Sequence, residues 1–445
     1  MTLVAERTDR VRAAAHHPLR AEAVRGLAPW AGAAVLLTLA GAMAATSERW
    51  QGGWAETRDQ LSAAAGLLGV PLALAAGCWH GGRERRRRTD ELMATVVRGR
   101  LGRLLASAFP LVLWVVAGYA AAAVLALLAT WYCATGDGPY LGSVLANAVV
   151  LASATLVGQV VGRVVAWRMT AALLAAGAYV GVGVLTYDHR NAVGALSSVG
   201  QGAAGSVAVW WQPVAIAGWT GGVAVAAVLA HGARRRWTAL VPLAAAGVAG
   251  TLLLQTGDGL WHTGPIARRQ VCDTSTTPQI CVNARYEKLL PQVKDALSGL
   301  TGRLEGVQNL PVRFEDRPGR PARDEVELPM LTPIGSSVVR GRLTDPGNYA
   351  WAAGMALYGR SYCDRTDPRL DPVDDAVEHY LAPSPMEKFF DEQFATRSAQ
   401  ERARHEARLA ARARLKAMGE EERRAWLSAY FATADECDPS EVPTL

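Results

Sequence analysis

The side chains able to do covalent or metal chemistry are few in this chain and poorly spaced for it. His405 and Glu406 stand in the stretch RHEARLA, which lacks the second histidine of a zinc-protease HExxH pair. His16 and His17 are adjacent, and His262 and His379 are isolated, so none has metal-ligand spacing. No Gly-x-Ser-x-Gly elbow presents a nucleophile. Lysine occurs only at Lys288, Lys294, Lys388 and Lys416, none of them after a glycine, so there is no Gly-Lys-Ser/Thr loop to cradle a nucleotide phosphate. No catalytic group, metal or cofactor is expected on this chain. The thiols are the exception. Cys272, Cys281, Cys363 and Cys437 lie in the polar C-terminal part, an even number that suits disulfides in an oxidising compartment. Of the three pairings, the one preferred closes a short loop with Cys272–Cys281 and ties the final helix back with Cys363–Cys437. Cys78 and Cys133 sit at or near the ends of apolar runs and read as packing residues.

A different kind of site lies between two apolar runs. The stretch Arg83–Arg100, RERRRRTDELMATVVRGR, is strongly basic, which argues for the cytoplasmic side of a membrane. Inside it is a short helix pattern. Thr89 is a good N-cap, and Asp90 and Glu91 put negative charge in the first turn, where the helix dipole favours it. Leu92, Met93, Val96 and Val97 then form a narrow apolar stripe. A loop in water has no lipid to cover that stripe, so a partner protein is expected to do so. The competing reading is a solvated basic loop resting on anionic headgroups.

The elements that hold this loop are membrane spans. The chain has 445 residues, half of them hydrophobic. Apolar runs at Leu27–Thr46, Leu61–His80, Leu104–Trp131, Val144–Gly162, Met169–Tyr187, Val214–His231 and Thr238–Gln255 predict seven spans, most of them about the 20 residues a helix needs to cross a bilayer. The third is longer, and Pro110 is a place for it to tilt or break. Arginines crowd residues 1–26, the 83–103 region, Arg163, Arg168 and Arg234–Arg236, whereas the intervening loops carry only Arg49, Arg58 and Arg190, with Arg268 and Arg269 after the last run. That asymmetry places the N-terminus in the cytoplasm and the region after Gln255 outside a plasma membrane crossed many times. The net charge of +6 is accounted for by these loops and does not call for nucleic acid. Gly158/Gly162, Gly177/Gly181 and Gly218/Gly222 have the spacing that lets helix backbones approach, within the chain rather than as a dimer face. An ion-driven pump places carboxylates or cations at mid-membrane, and the spans are poor in charge, with Gln159 and a few hydroxyls standing out instead, which argues against such a pump.

The sequence RRRRTDELMATVVRGRLGRLL resembles the loop after the second span of type-2 ABC exporter permeases, of the actinobacterial type, where a basic run leads into an acidic pair, a short apolar helix and a basic exit. HPLRAEAVRGLAPW is similar to the interfacial helix before the first span of such permeases. The resemblance implies that Thr89, Asp90, Glu91, Leu92, Met93, Val96 and Val97 form a coupling helix seated in a groove of a separate ABC ATP-binding subunit. ATP and magnesium would then belong to that partner, and this chain would not itself be an enzyme. It also implies a second permease chain, identical or not, and alternating access in the lipid bilayer. In the family the loop between spans five and six carries short re-entrant helices. Here Asp188–Gln212 is Gly-, Ala- and Ser-rich and ends in Trp210 and Trp211, which equally suits a surface loop with an aromatic anchor. A seventh span and a large C-terminal region depart from the family's six-span core.

From about Gly257 the composition turns polar. Tyr286–Leu304 reads as a helix with Leu289, Val293, Leu297, Leu300 and Leu304 on one side. Pro311–Glu315, Glu325–Leu328 and Ser337–Leu343 alternate as short strands. Tyr349–Tyr362 reads as an apolar helix, and Met386–Ala434 as a long charged helical region broken near Gly419. The expectation is an all-α polytopic membrane domain of about seven spans (27–256, with the coupling-helix loop at 83–100) after a cytoplasmic segment (1–26). A small α+β extracytoplasmic domain (257–445) follows, with a Cys-Val before its first helix and an aromatic-rich helix ending in Cys, loosely similar to the tails of some actinobacterial ABC permeases. The rival expectation is a multi-span anchor for an extracytoplasmic sensor or binding domain.

Overall fold

A computed structural model describes residues 26–86, 99–134, 138–165, 167–187, 192–199, 206–317, 319–332, 337–358, 369–395, 398–434, 438 and 440–445. The chain divides into two compact units, one mostly within 26–262, the other mostly from Thr263 onward.

The first unit is helical. Its long helices are α1 (Leu27–Ala45), α2 (Trp54–Gly81), α3 (Arg100–Trp131), α4 (Leu141–Val164), α5 (Thr170–Tyr187), α6 (Gln212–Gly232) and α7 (Leu240–Thr256). Among the described residues, six helical segments are long and apolar enough to cross a membrane, and the apolar part of α5, Thr170–Val184, is shorter. Large apolar side chains such as Leu37, Leu128, Val180 and Val248 point outward from these helices, as they do where hydrocarbon rather than water is the solvent. Pro110 does not break α3: the helix runs through it with the proline ring buried. A missing N–H is tolerated in membrane helices where neighbouring groups take up the freed carbonyl. The second helix begins earlier than its apolar run, at Trp54, and carries one π-helical turn at Ala65–Gly69.

Two helix pairs are packed backbone to backbone. Between α2 and α4, a Cβ on Gly77 would stand 2.2 Å from the Thr155 carbonyl oxygen, and one on Gly162 would stand 2.0 Å from that of Cys78. Gly81 and Gly158 face Gln159 and Leu74 in the same way, so each helix supplies glycines to the other. Only a residue without a side chain allows this approach. Gly32 and Gly118 do the same for α1 and α3. Of the small-residue pairs in the sequence, Gly158/Gly162 and Gly222 therefore lie at contacts within the chain, whereas Gly177 and Gly181 face open space.

Two short strands, β1 (Ser206–Ala208) and β2 (Trp261–Thr263), pair with each other at the end of the first unit, and the second unit is built on a four-stranded sheet in the order β3-β4-β5-β6. β3 (Gln270–Asp273) runs antiparallel to β4 (Gln279–Asn283), and β5 (Arg313–Glu315) and β6 (Glu325–Glu327) continue in parallel. A small hairpin, β7 (Val338–Val339) and β8 (Arg342–Leu343), follows. Around the sheet stand α8 (Leu290–Arg303), α9 (Pro346–Tyr358), α10 (Asp371–Leu381), α11 (Glu387–Ala395), α12 (Ala399–Ala417) and α13 (Glu420–Ala432). The apolar stripe of α8 is buried: Val293, Leu297, Leu300 and Leu304 pack with Ile280, Phe314, Leu357, Val377 and Tyr430 in one core. The charged region 386–434 is three helices rather than one with a single break. Ser398 and Glu401 form a reciprocal capping box that starts α12, and Gly419 caps α13.

Candidate functional site

The loop that the sequence singles out joins α2 to α3. Thr89, Asp90, Glu91, Leu92, Met93, Val96 and Val97 lie outside the described residues, so the site is visible as the frame that holds them. The frame begins with a helical turn, Arg83–Arg86, directly after α2. Arg85 Nη1 donates to the Val164 carbonyl oxygen at 3.3 Å, tying the loop to the end of α4. Arg86 donates to the Trp79 carbonyl oxygen and lies over the Trp79 ring at 4.3 Å.

Just inside this end a polar cluster joins three helices. The Gln159 carboxamide oxygen accepts from His80 Nδ1 at 3.1 Å, and its Nε2 donates to Ser107 Oγ at 3.2 Å. Arg163 Nη2 donates to the same hydroxyl at 2.8 Å, and the hydroxyl donates on to the Leu104 carbonyl oxygen. His80 belongs to α2, Ser107 to α3, and Gln159 and Arg163 to α4. Buried groups satisfied in this way fix one arrangement of the three helices. Gln159 stands out in the sequence, beside a few hydroxyls, as a polar residue inside a span. His80 did not, because it falls at the last turn of an apolar run.

The charges also separate by end. Arg85, Arg100, Arg163 and Arg236 all act electrostatically on His231, so they converge at the end of the unit that carries the 83–100 loop. Arg58 sits elsewhere, and it corrects the reading of the sequence. The arginine count places it in a loop, whereas it lies in the first turns of α2 and is only 5% exposed. Its Nη2 donates to the Ser206 carbonyl oxygen at 3.0 Å, its Nε to Asp59 at 2.8 Å, and its guanidinium lies 5.1 Å and 5.5 Å from the Tyr140 and Trp261 ring centres. In the 188–212 region, the described part includes a helical turn, Ala192–Leu196, and Leu196 packs with Leu253, Trp219 and Trp261.

In the second unit, Cys272 and Cys281 are joined by a disulfide across directly paired positions of β3 and β4. Cys363 and Cys437 lie outside the described residues. Two buried carboxylates on the neighbouring strands are fully engaged. Glu315 accepts from Gln270 at 2.8 Å and Arg317 at 2.9 Å, and Glu325 accepts from Arg313 at 2.7 Å. Beside them, burial pushes the Asp316 carboxyl up to about 6, with the charges of Glu315 and Glu327 adding to the effect and the Asn283 backbone N–H opposing it.

Compared with known proteins, the chain matches no family model, no curated protein and no solved structure.

Proposed function

We propose that this chain is the membrane-spanning permease subunit of an ATP-driven exporter, coupled through residues 89–97 to an ATP-binding subunit carried on another polypeptide. The observation that carries the reading is where the loop is mounted. It leaves the end of α2, is pinned by Arg85 to the end of α4, and those two helices are locked together by glycines. A push on the loop cannot move α2 without moving α4, because there is no side-chain layer between them to slip. The resemblance of RRRRTDELMATVVRGRLGRLL to a type-2 ABC coupling helix supplies the partner. The crowding of arginines at the loop-bearing end supports a cytoplasmic position for it. Seven crossings, counting α5, then leave the C-terminal unit outside, where the Cys272–Cys281 disulfide would persist.

The test is co-purification of the full-length chain from its own host. An ATPase bearing a P-loop should come with it. Leu92→Ala with Met93→Ala should weaken that association, since each large apolar side chain buried in a groove contributes about 1.5–3 kcal/mol. Changing Arg85, Arg86, Arg87 and Arg88 to Gln should instead disturb orientation or lipid contact. A parent chain that brings down no ATPase would favour the second reading, a multi-span anchor for a binding domain. The cavity of about 460 Å³ in the C-terminal unit is the observation on that side.

A further inference from the structure

Where the first unit carries the 83–100 loop, a small hollow lies between the end of α2, the turn Arg83–Arg86 and the start of α5. Arg85, Arg86 and Arg168 line it, together with Trp79, Trp167 and Ala171. Its volume of about 10 Å³ admits one oxygen-sized group rather than a whole small molecule. The arginines are not neutralised by what surrounds them. Arg85 uses one N–H on the Val164 carbonyl oxygen at 3.3 Å, and Arg86 uses one on the Trp79 carbonyl oxygen. Among the described residues no carboxylate pairs with either, and Arg168 makes neither a hydrogen bond nor an ion pair.

Gathering these cations is unfavourable on its own. Partial desolvation makes the Arg86 guanidinium less basic than usual; the Cys78 thiol opposes that, and the like charge of Arg168 adds to it. α5 starts at Thr170, and Ala171 of its first turn lines the hollow, so the positive end of an 18-residue helix adjoins the same guanidiniums. Each of these features calls for an anion, and the unused N–H groups of guanidinium forks suit phosphate oxygens.

The surroundings say what kind of anion. Trp79 and Trp167 are 49% and 60% exposed, and Val165, Met169 and Leu173 near them are exposed as well. A soluble phosphate would leave these side chains in water, which is unfavourable in proportion to their apolar area. At a bilayer surface the same side chains are covered, with tryptophan at the headgroup level. A zwitterionic headgroup would bring a cation of its own to the three arginines, whereas a negative one would not.

We propose that this hollow holds the phosphate of an anionic phospholipid, with Arg85, Arg86 and Arg168 donating to its oxygens and the Trp79 and Trp167 rings flanking its headgroup. The lipid ties the start of α5 to the turn after α2, beside the point where Arg85 already ties that turn to α4. Basic hollows between spans on the cytoplasmic side are suited to such headgroups. The proposal rests on this end of the helices meeting a membrane surface and not on the coupling to an ATPase.

The test titrates the full chain, delipidated in dodecyl maltoside, with dioleoylphosphatidylglycerol or dioleoylphosphatidylcholine, and counts bound lipid by native mass spectrometry. The first phosphatidylglycerol should bind at least about tenfold more tightly than the first phosphatidylcholine, since several arginines act on it. Arg168→Gln, at an exposed position without a partner, should weaken phosphatidylglycerol about fivefold and leave phosphatidylcholine unchanged, the worth of one arginine at an anionic headgroup. Arg234→Gln removes an exposed arginine that does not line the hollow, and it should change phosphatidylglycerol binding by less than about twofold. Glycerol phosphate, the same anion without acyl chains, should not displace the lipid. Equal binding of the two lipids would overturn the proposal. So would an Arg234→Gln effect as large as that of Arg168→Gln, which would show a diffuse field, or displacement by glycerol phosphate, which would show a soluble-anion site. No ATPase takes part in this titration, so its outcome and that of the co-purification are read separately.

Discussion

Replacing Gly162 by Ala tests the lever directly. A Cβ at this position would sit 2.0 Å from the Cys78 carbonyl oxygen, whereas real Cβ contacts essentially never fall below 3.0 Å. The α2 and α4 backbones must therefore part locally by about 1 Å. The obstacle is a main-chain carbonyl rather than a flexible side chain, so it cannot be relieved by a rotamer change. Parting the helices also loosens the neighbouring contacts at Gly77, Gly81 and Gly158, since dispersion falls off within a fraction of an ångström. Overpacking of this kind costs about 1–3 kcal/mol. The control is Gly177→Ala on α5, where a new Cβ meets nothing within 4 Å and the effect should stay within about 0.5 kcal/mol. The assay is the thermal midpoint of the full chain in nanodiscs at one fixed scan rate, because unfolding of such a protein is judged by rate as much as by equilibrium. Gly162→Ala should lower the midpoint and Gly177→Ala should not. If a partner ATPase is recovered, Gly162→Ala should also retain ATP hydrolysis while losing transport. Equal midpoints for the two variants would refute the reasoning that α2 and α4 are held by contact between their backbones.

Three further outcomes are expected. Mass spectrometry without reductant should find Cys272 and Cys281 bonded, and replacing both by Ser should cost about 2–3 kcal/mol through the loop of nine positions they close; the same spectra will show whether Cys363 and Cys437 are paired. Asp316→Asn should stabilise the chain at pH 7 by about 1–3 kcal/mol, and the advantage should vanish towards pH 4. The folded carboxyl titrates near 6 and the unfolded one near the usual value of about 4, so in the parent the folded state takes up a proton first as pH falls and its deficit disappears; a difference that is flat with pH would show that Asp316 is not the group responsible. Reporter fusions at Gly257 and Gly419 should both signal from outside the membrane, and a cytoplasmic signal at both would remove the seven-crossing arrangement.

Much of the architecture is readable in the chain because it depends on local composition. Apolar runs of span length gave helices, and Val293, Leu297, Leu300 and Leu304 gave a buried stripe. What escaped depends on distant partners or on charges inside a helix. Arg58 lies in WAETRDQ, whose polarity hides the start of α2, and its partners Tyr140, Ser206 and Trp261 are far away in sequence. The S-x-x-E box at Ser398 and Glu401 is a readable start signal inside 386–434, a region whose charge pattern shows a break only near Gly419.

The acidic face of α10 is the most instructive case. Asp371, Asp374, Asp375 and Glu378 fall at i, i+3, i+4 and i+7, one face of α10, and Arg408 and Arg412 fall at i and i+4 on α12. The spacing 371–375 equals the spacing 408–412, and the fold matches them pair for pair. Two complementary stripes were thus present in the sequence, but each alone reads as the solvated face of a charged helix. Only the packing of α10 on α12 shows that two of the four acids on that face are consumed as ion pairs, that Asp374 accepts from the Tyr430 hydroxyl at 2.7 Å, and that Glu378 accepts from the Trp351 indole N–H at 2.7 Å. The charge pattern specifies how the two helices dock, because the acids that read alone as a solvated face are the ones the arginines of α12 hold.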